Sequence, residues 1–267
     1  MTEKRAMGKR AFGRVNWLGL ATLTRREVQR FLAVWSQTVA APVATSLLFL
    51  TVFSLAFGER RGDPDGVPFE VFLAPGILMM TVIQNAFANT SSSLMISKVQ
   101  GNIVDTLMPP LSAGEILTGY VLGGVVRGVV CAAAIGLTLF PYLGIGVAHP
   151  LWALAFLLLA SVMLSLVGLM TAILAEKFDQ MAAITNLVIT PLAFLSGTFY
   201  SISSLPPVFQ SISHANPIFY LIDGFRFGVL GTSDANPLTG LVVALAVNTG
   251  LILVCGRWLA TGYRLKS

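Results

Sequence analysis

Residues 191–231 read PLAFLSGTFYSISSLPPVFQSISHANPIFYLIDGFRFGVLG. The stretch starts as the end of a long apolar run, and Ser196-Gly197 then breaks it. Pro206, Pro207 and Pro217 follow, with polar residues between aromatic ones. A straight helix through a ~30 Å hydrocarbon core needs about 20 unbroken apolar residues, which this stretch lacks. Its punctuation predicts two short helices instead, over 206–214 and 218–229. Pro206-Pro207 suits a helix start and Pro217 stops the first piece, while Gly231 caps the second. Irregular backbone survives at membrane depth only where protein or a wet cavity satisfies it. The expected element is therefore re-entrant or on the outer face, packed into a helical bundle.

The composition agrees with a membrane-embedded bundle. The 267 residues are 55% hydrophobic and 11% charged, with a mean hydropathy of +0.79, whereas soluble domains carry about 25% charged residues. The formal net charge of +5 is gathered at the chain ends and in short polar loops. That is the positive-inside pattern of a polytopic protein rather than a nucleic-acid-binding surface. Cys131 and Cys255 both fall in apolar runs, so neither a disulfide scaffold nor a metal cluster is indicated. The basic N-terminus has no clean apolar core and cleavage site directly after it, and reads as a retained tail.

Taken in order, residues 1–36 form a cytoplasmic tail and a helix, and 37–267 a membrane domain. Trp17, Leu20, Thr24, Val28, Phe31 and Trp35 recur at spacings of three and four, with Arg25, Arg26, Gln29 and Arg30 on the other side. This predicts an amphipathic helix in the cytoplasmic interface; the plainer alternative is a basic flank to the first span. Six spans are expected, at about 38–57, 69–94, 116–140, 151–174, 180–199 and 238–259. The loop 58–68 is acidic and turn-rich and should lie outside. The second span carries Gln84, Asn85 and Asn89, polar groups that need partners or water at membrane depth. Helix–helix hydrogen bonding explains them as well as contact with a transported molecule does. Residues 97–115 are too polar to span and predict a short helix at 102–108, stopped by Pro109-Pro110. Ser112 and Glu115 then form a capping box for the third span. In that span, Gly119/Gly123 and Gly124/Gly128 give two small-residue steps suited to close packing, within or between subunits. With Arg127 left out, about 13 Lys and Arg fall in inner segments and about 3 in outer ones, which puts both ends inside.

The pairs Ser196-Gly197, Leu205-Pro206, Asn216-Pro217 and Phe225-Arg226, in this order, resemble the C-terminal signature of ABC-2 type exporter permeases. The likeness implies an all-α transmembrane subunit of an exporter for glycans, lipids or drugs, in a bacterial-type inner membrane. It would be paired as a homodimer or with a related permease, among membrane lipids, and served by a separate cytoplasmic ATP-binding subunit. ATP and magnesium would sit on that partner, with no cofactor on this chain and no enzymatic activity of its own. One departure is Tyr200-Ser201, where many polysaccharide-exporting members have proline soon after the aromatic residue; it bears on the substrate class. The resemblance also makes 102–108 the coupling element. Val104, Leu107 and Met108 would press into the ATPase, with Asp105 at the rim and Asn102 at the helix start. It places Asn186, Thr190 and Phe194 of the fifth span with Gln84, Asn85 and Asn89 along the substrate path. Phe199, Tyr200, Asn216 and Tyr220 would lie near the outer mouth.

Other classes find less support. The only Gly-Lys pair, Gly8-Lys9, has no P-loop around it. The two histidines, His149 and His214, fall in outer segments. A Ser–His enzyme needs a positioned base and an orienting acid, and although Asp223, Ser211 and Ser213 stand near His214, short polar residues in a proline-punctuated loop explain themselves. A secondary transporter or channel, the main alternative, calls for acidic residues inside the spans, and none lies mid-span. Arg127, however, is near mid-membrane. It either snorkels to the inner interface or pairs with a carboxylate of a neighbouring helix, for which Glu176 or Asp179 is favoured over Glu27.

Overall fold

The computed structural model describes residues 13, 15–61 and 67–265. The basic tail lies outside these residues except for Gly13, and so do residues 62–66 of the loop expected at 58–68, whose first four residues continue α2. No β-strand occurs among the described residues. Eleven α-helices follow in order: α1 (Trp17–Leu32), α2 (Ala41–Arg61), α3 (Phe69–Val99), α4 (Ile103–Leu107), α5 (Ala113–Leu143), α6 (Pro150–Leu174), α7 (Phe178–Ile184), α8 (Thr190–Phe194), α9 (Pro207–Ala215), α10 (Pro217–Leu230) and α11 (Pro237–Thr261).

Five helical stretches are long and apolar enough to cross a membrane: Ser36–Ala56, Phe69–Val99, Ala113–Leu143, Pro150–Leu174 and Pro237–Thr261. The expected span at 180–199 differs. Here α7, a π-helical stretch Thr185–Ile189 and α8 follow one another with seven, five and five residues. The run stops at Phe194 because Ser196 turns its hydroxyl back onto the Leu192 carbonyl and Gly197 adopts φ 74°. That left-handed conformation suits glycine and ends the helix.

At the centre stands α3, buried along most of its length against α5, α6, α10 and α2. Small residues set the spacing. A Cβ on Gly168 of α6 would run into the Phe87 carbonyl and the Thr90 hydroxyl of α3, and Thr90 Oγ1 donates back to the Ser165 carbonyl at 2.7 Å. The two glycine steps of α5 serve different neighbours within this one chain. Gly119 and Gly123 receive Leu23 and Glu27 of α1, at 2.6 and 2.5 Å from the position a Cβ would take. Gly124 and Gly128 receive Ser165 and Ser161 of α6. Hence α1 joins the bundle: Leu23 packs in the same inner apolar cluster as Met95, Ile103, Tyr120 and Leu169.

This corrects the expected face of α1. Leu23, Glu27 and Phe31 are its buried residues, while Trp17 and Trp35 are exposed and Leu20, Thr24 and Val28 half-buried. The stripe read from spacing lies to one side of the real contact, because the α5 groove selects side chains by fit as well as polarity.

The outer helices match their sequence expectation closely. Pro207 and Pro217 open α9 and α10, Asn216 Oδ1 accepts from Ile218 N at 3.0 Å, and Gly231 closes α10 at φ 81°. The second apolar cluster, above the first, gathers α3, α6 and α10 through Ile77, Phe156, Leu221 and Phe225.

Substituting Gly168 by Val should destabilise the protein by about 1–3 kcal/mol through overpacking against α3. Gly250→Val, where no atom lies near the added group, should change stability far less. Thermal denaturation of the two variants in detergent provides the comparison, and equal melting temperatures would refute the close-approach role.

Candidate functional site

One connected set of polar residues in the bundle joins α1, α3, α4 and α5, and it starts at α4. Asn102 precedes this helix and donates to Gln100 Oε1 at 3.2 Å. Ile103 and Thr106 are buried beneath it. Val104 is 42% and Met108 76% exposed, Asp105 is exposed, and Leu107 is half-buried against the inner cluster. One face of α4 is thus fixed to the bundle and the other is open. Of the residues expected to reach a partner, Leu107 belongs mostly to the fixed side.

Pro109-Pro110 ends α4, and the expected capping box follows. Ser112 Oγ accepts from Glu115 N at 3.4 Å, and Glu115 Oε2 accepts from Ser112 N at 2.6 Å. A further bond was not legible in the sequence: Glu115 Oε1 accepts from Asn16 N at 2.6 Å. Asn16 in turn caps α1 by accepting from Gly19 N at 2.9 Å. The starts of α1 and α5 are therefore joined by one carboxylate, which satisfies orphan donors at two helix N-termini.

From α4 the polar system runs inward along α1. Arg26 donates to Thr106 Oγ1 of α4 at 3.1 Å, to Tyr120 Oη of α5 at 3.3 Å and to Glu27 Oε1 at 3.2 Å. Glu27 has none of its side chain exposed; it accepts from Ser93 Oγ of α3 at 2.9 Å and lies 3.5 Å from Arg30 Nη2. Arg30 donates to the Asn89 carbonyl, to Asn89 Oδ1 and to Ser92 Oγ, at 2.7, 3.1 and 3.2 Å. Asn89 is fully buried and engaged by Arg30.

Arg127 is met differently from expectation. Its Nε and Nη2 both donate to Asn85 Oδ1, at 3.1 and 2.8 Å. Glu27 is occupied by Arg26 and Arg30, and Glu176 sits at the far inner end with Lys98 and Arg264 around a cavity of about 800 Å³. Asp179, in the first turn of α7, makes no ion pair among the described residues. The physical reason is register: Asn85 and Arg127 each lie near the middle of a 31-residue helix, roughly 20 Å at 1.5 Å per residue from the inner ends. A carboxylate at the inner turn does not bridge that distance. An arginine at such depth costs about 2.5–3.5 kcal/mol on insertion scales.

Gln84 and Asn85 line a cleft of about 200 Å³ between α2 and α3, together with Thr45, Phe49, Met80 and Thr81. Asn186 is exposed on the π-helical stretch, with Thr190 and Phe194 half-buried beyond it. No hydrogen bond joins those three to Gln84 or Asn85 among the described residues. Nearer the outer end, Phe199 is buried rather than open. It stacks on Phe53 and Phe194 with centroids 4.5 and 5.2 Å away. Asn216 is buried too, donating to the Leu192 carbonyl and to Ser196 Oγ at 3.0 and 2.8 Å. Tyr200 and Tyr220 are half-buried, with Tyr200 Oη donating to the Phe194 carbonyl at 3.3 Å. These four hold the outer element in place. Asp223 and Arg226 are both buried. Asp223 accepts from Asp234 N and Ala235 N at 2.8 and 3.0 Å, and Arg226 donates to the Gly197 carbonyl at 2.6 Å with its guanidinium 4.0 Å from the Phe72 ring centroid.

Glu27→Gln removes the carboxylate that Arg26 and Arg30 share, and should destabilise the protein by on the order of 3 kcal/mol, since a partly buried cation is left behind. Adding Arg30→Gln should recover at least ~1 kcal/mol relative to additivity. A double-mutant cycle by thermal denaturation checks this, and strictly additive losses would rule out the pair.

With this geometry in view, comparison with known proteins is informative. Residues 19–230 match the ABC-2 type transporter family. The chain is 37% identical to the inner membrane transport permease YadH of Escherichia coli K12 over 254 residues, covering 94% of this chain and 98% of YadH. It is 26% identical to nodulation protein J of Rhizobium leguminosarum bv. viciae over 229 residues, covering 84% and 86%, and 29% identical to that of bv. trifolii over 228 residues, covering 82% and 83%. The match spans α1 through α10, so it includes the α4 segment, the Arg127–Asn85 contact and the outer helices alike. A multi-pass membrane protein, this chain belongs to the ABC-2 type transporter family.

Proposed function

We propose that the chain is the transmembrane permease subunit of an ATP-driven exporter in an inner membrane. It works as a pair, homodimeric or with a related permease, on two separate ATP-binding subunits that hold the ATP and magnesium. Six crossings place both termini in the cytoplasm, with the run Phe178–Phe194 completing the fifth. Helix α1 lies at the inner interface among lipids, and α9 and α10 form a re-entrant element on the outer side. The cargo is an amphiphilic or glycan-like molecule that passes Gln84 and Asn85 on α3 and Asn186, Thr190 and Phe194 on the fifth crossing.

The observation that carries this reading is the two-sidedness of α4. Val104, Asp105 and Met108 are open to a partner, while Thr106 is hydrogen-bonded to Arg26 and Ile103 is sunk in the inner cluster. A helix of five residues has little stability of its own; its position is set by the bundle, so a push on its open face is delivered to α1 and α5. A separate motor subunit needs such a handle. Helix α3 adds a second attachment close by: Lys98 Nζ donates to the carbonyls of Ala172, Ile173 and Ala175 at 3.0, 2.9 and 2.7 Å, capping the C-terminal end of α6.

Replacing Val104 and Met108 by Ser should lower permease-stimulated ATP hydrolysis several-fold in the purified complex with its ATPase, while the permease remains monodisperse. Unchanged stimulation would refute the docking role of α4. The outer placement has its own check. Cysteines at Ser204 and Ser211, both exposed, should react with an impermeant maleimide added outside intact cells, against a low background because Cys131 and Cys255 are buried. Reaction from the cytoplasmic side alone would invert the topology.

A further inference from the structure

Arg127 is a cation whose charge nothing nearby cancels. Among the described residues it has no carboxylate within ion-pair distance. Its one partner is Asn85, whose single Oδ1 receives both Nε and Nη2. That amide is held in place, since Asn85 Nδ2 donates to the Thr81 carbonyl at 3.0 Å and keeps the oxygen turned to the guanidinium. A neutral amide orients a guanidinium but leaves its charge intact. Nη1 makes no hydrogen bond among the described residues and is not sealed from its surroundings. The charges that face this group do not help. Arg30 carries the same sign, the Cys131 thiol on the same helix is neutral, and Glu27 is shared between Arg26 and Arg30.

Arg127 is half-buried on α5, and a cation withdrawn from water for structure alone is expected to be paired, or to have its donors filled. Arg127 meets neither condition, yet it is oriented with care. Asn85 also lines the cleft between α2 and α3, where Thr45, Thr81 and Gln84 supply polar groups and Phe49 and Met80 apolar ones. At about 200 Å³ the cleft admits a group the size of several water molecules. Its mixed lining matches a molecule with a polar head and an apolar body.

We propose that Arg127, aimed by Asn85, is an anion subsite that takes the phosphate, sulfate or carboxylate head of the transported amphiphile. The head supplies the missing counter-charge through charge-assisted bonds to the guanidinium, and the apolar body lies along the Phe49 and Met80 side of the cleft. This deepens the exporter reading and rests on it.

The test uses the permease with its ATPase in phosphatidylcholine nanodiscs, with dodecyl phosphate, dodecyl maltoside and inorganic phosphate as probes. Wild type should bind dodecyl phosphate roughly ten-fold more tightly than dodecyl maltoside, the scale of one charge-assisted contact. Arg127→Gln should bring that ratio to about one, and Arg127→Lys should keep part of it. Asn85→Asp retains the arginine and supplies a built-in counter-charge, so it too should abolish the preference; it serves as the second variant if Arg127→Gln does not fold. A wild type with no preference, or variants that keep it, would overturn the subsite. Competition by inorganic phosphate at the concentrations that suffice for dodecyl phosphate would assign the site to a soluble anion, and its absence to an amphiphile head. ATP hydrolysis stimulated by the permease in the same discs separates the two ideas. Stimulation without anion preference removes the subsite and leaves the exporter, whereas preference without stimulation does the reverse.

Discussion

A carboxylate with no exposed surface calls for donors and counter-charge, and Glu27 draws four helices together: Oε1 accepts from Arg26 and Ser93, while Oε2 has only the Arg30 charge at 3.5 Å. It sits in the groove left by Gly123 of α5, accepts from Ser93 of α3 and is flanked by Arg26 and Arg30 of its own helix. Arg26 then reaches Thr106 on α4 and Tyr120 on α5. Each contact exists because the carboxylate is there. Without it, two guanidiniums would face one another at the edge of an apolar cluster. The desolvation that makes a buried ion pair unprofitable as glue makes it effective as a device for register. Shifting α1 by one turn would carry the Glu27 charge out of the slot at Gly123 and away from Ser93.

The half around α10 follows the same logic, with the charged side chains of Arg226, Asp223 and Asp234 satisfying backbone groups. Arg226 donates to the Gly197 carbonyl and lies over Phe72. Gly76 on α3 leaves room for the Thr198 carbonyl, which any side chain would strike. Asp234 accepts from Ser201 Oγ and Ile202 N, while Asp223 accepts from the Asp234 and Ala235 amides. Irregular backbone between Leu195 and Leu205 is therefore satisfied by side chains from α10 and the loop behind it. That is the condition for such a segment to persist beside a membrane. Phe199, stacked on Phe53 and Phe194, and Asn216, bonded to the Leu192 carbonyl and Ser196, close the element on itself.

Local chemistry was the most legible part of the chain. Proline at N1, an Asn cap, a left-handed Gly and a capping box each act within a few residues, so α9, α10 and the start of α5 could be placed from sequence to within a residue or two. Long apolar runs gave five spanning stretches for the same reason. What sequence concealed was choice among distant partners. Glu27 stood among arginines on what looked like a solvated face, and only the glycines of α5, about ninety residues away, make it a buried one. The partner of Arg127 was sought among carboxylates because charge complementarity is the obvious rule, although an amide oxygen at matching depth is equally able to accept two N–H groups. The broken fifth span was half-visible, since Pro191 and Ser196-Gly197 were recognised but the π-helical stretch before them has no composition of its own.

Both halves meet on α3, and the spacing of its polar residues explains how. Thr81, Asn85, Asn89 and Ser93 follow at intervals of four, which places them in one inclined row on the helix. Their partners come in sequence: Ser46 on α2, Arg127 on α5, then Arg30 and Glu27 on α1. The row is neutral and its lower partners are charged, so α3 acts as a polar rail along which charged side chains from neighbouring helices are held at fixed heights. Apolar packing alone would let α1 slide against α3 with little penalty, because leucine contacts lack direction. Hydrogen bonds at 2.7–3.2 Å do not tolerate such sliding. A displacement of α4, passed to α1 through Thr106 and Arg26, must then either break the bonds at Ser93 and Asn89 or carry α3 with it. Since α3 also holds Asn85 and the outer Gly76 contact, carrying it moves the mid-bundle arginine contact and the outer element together.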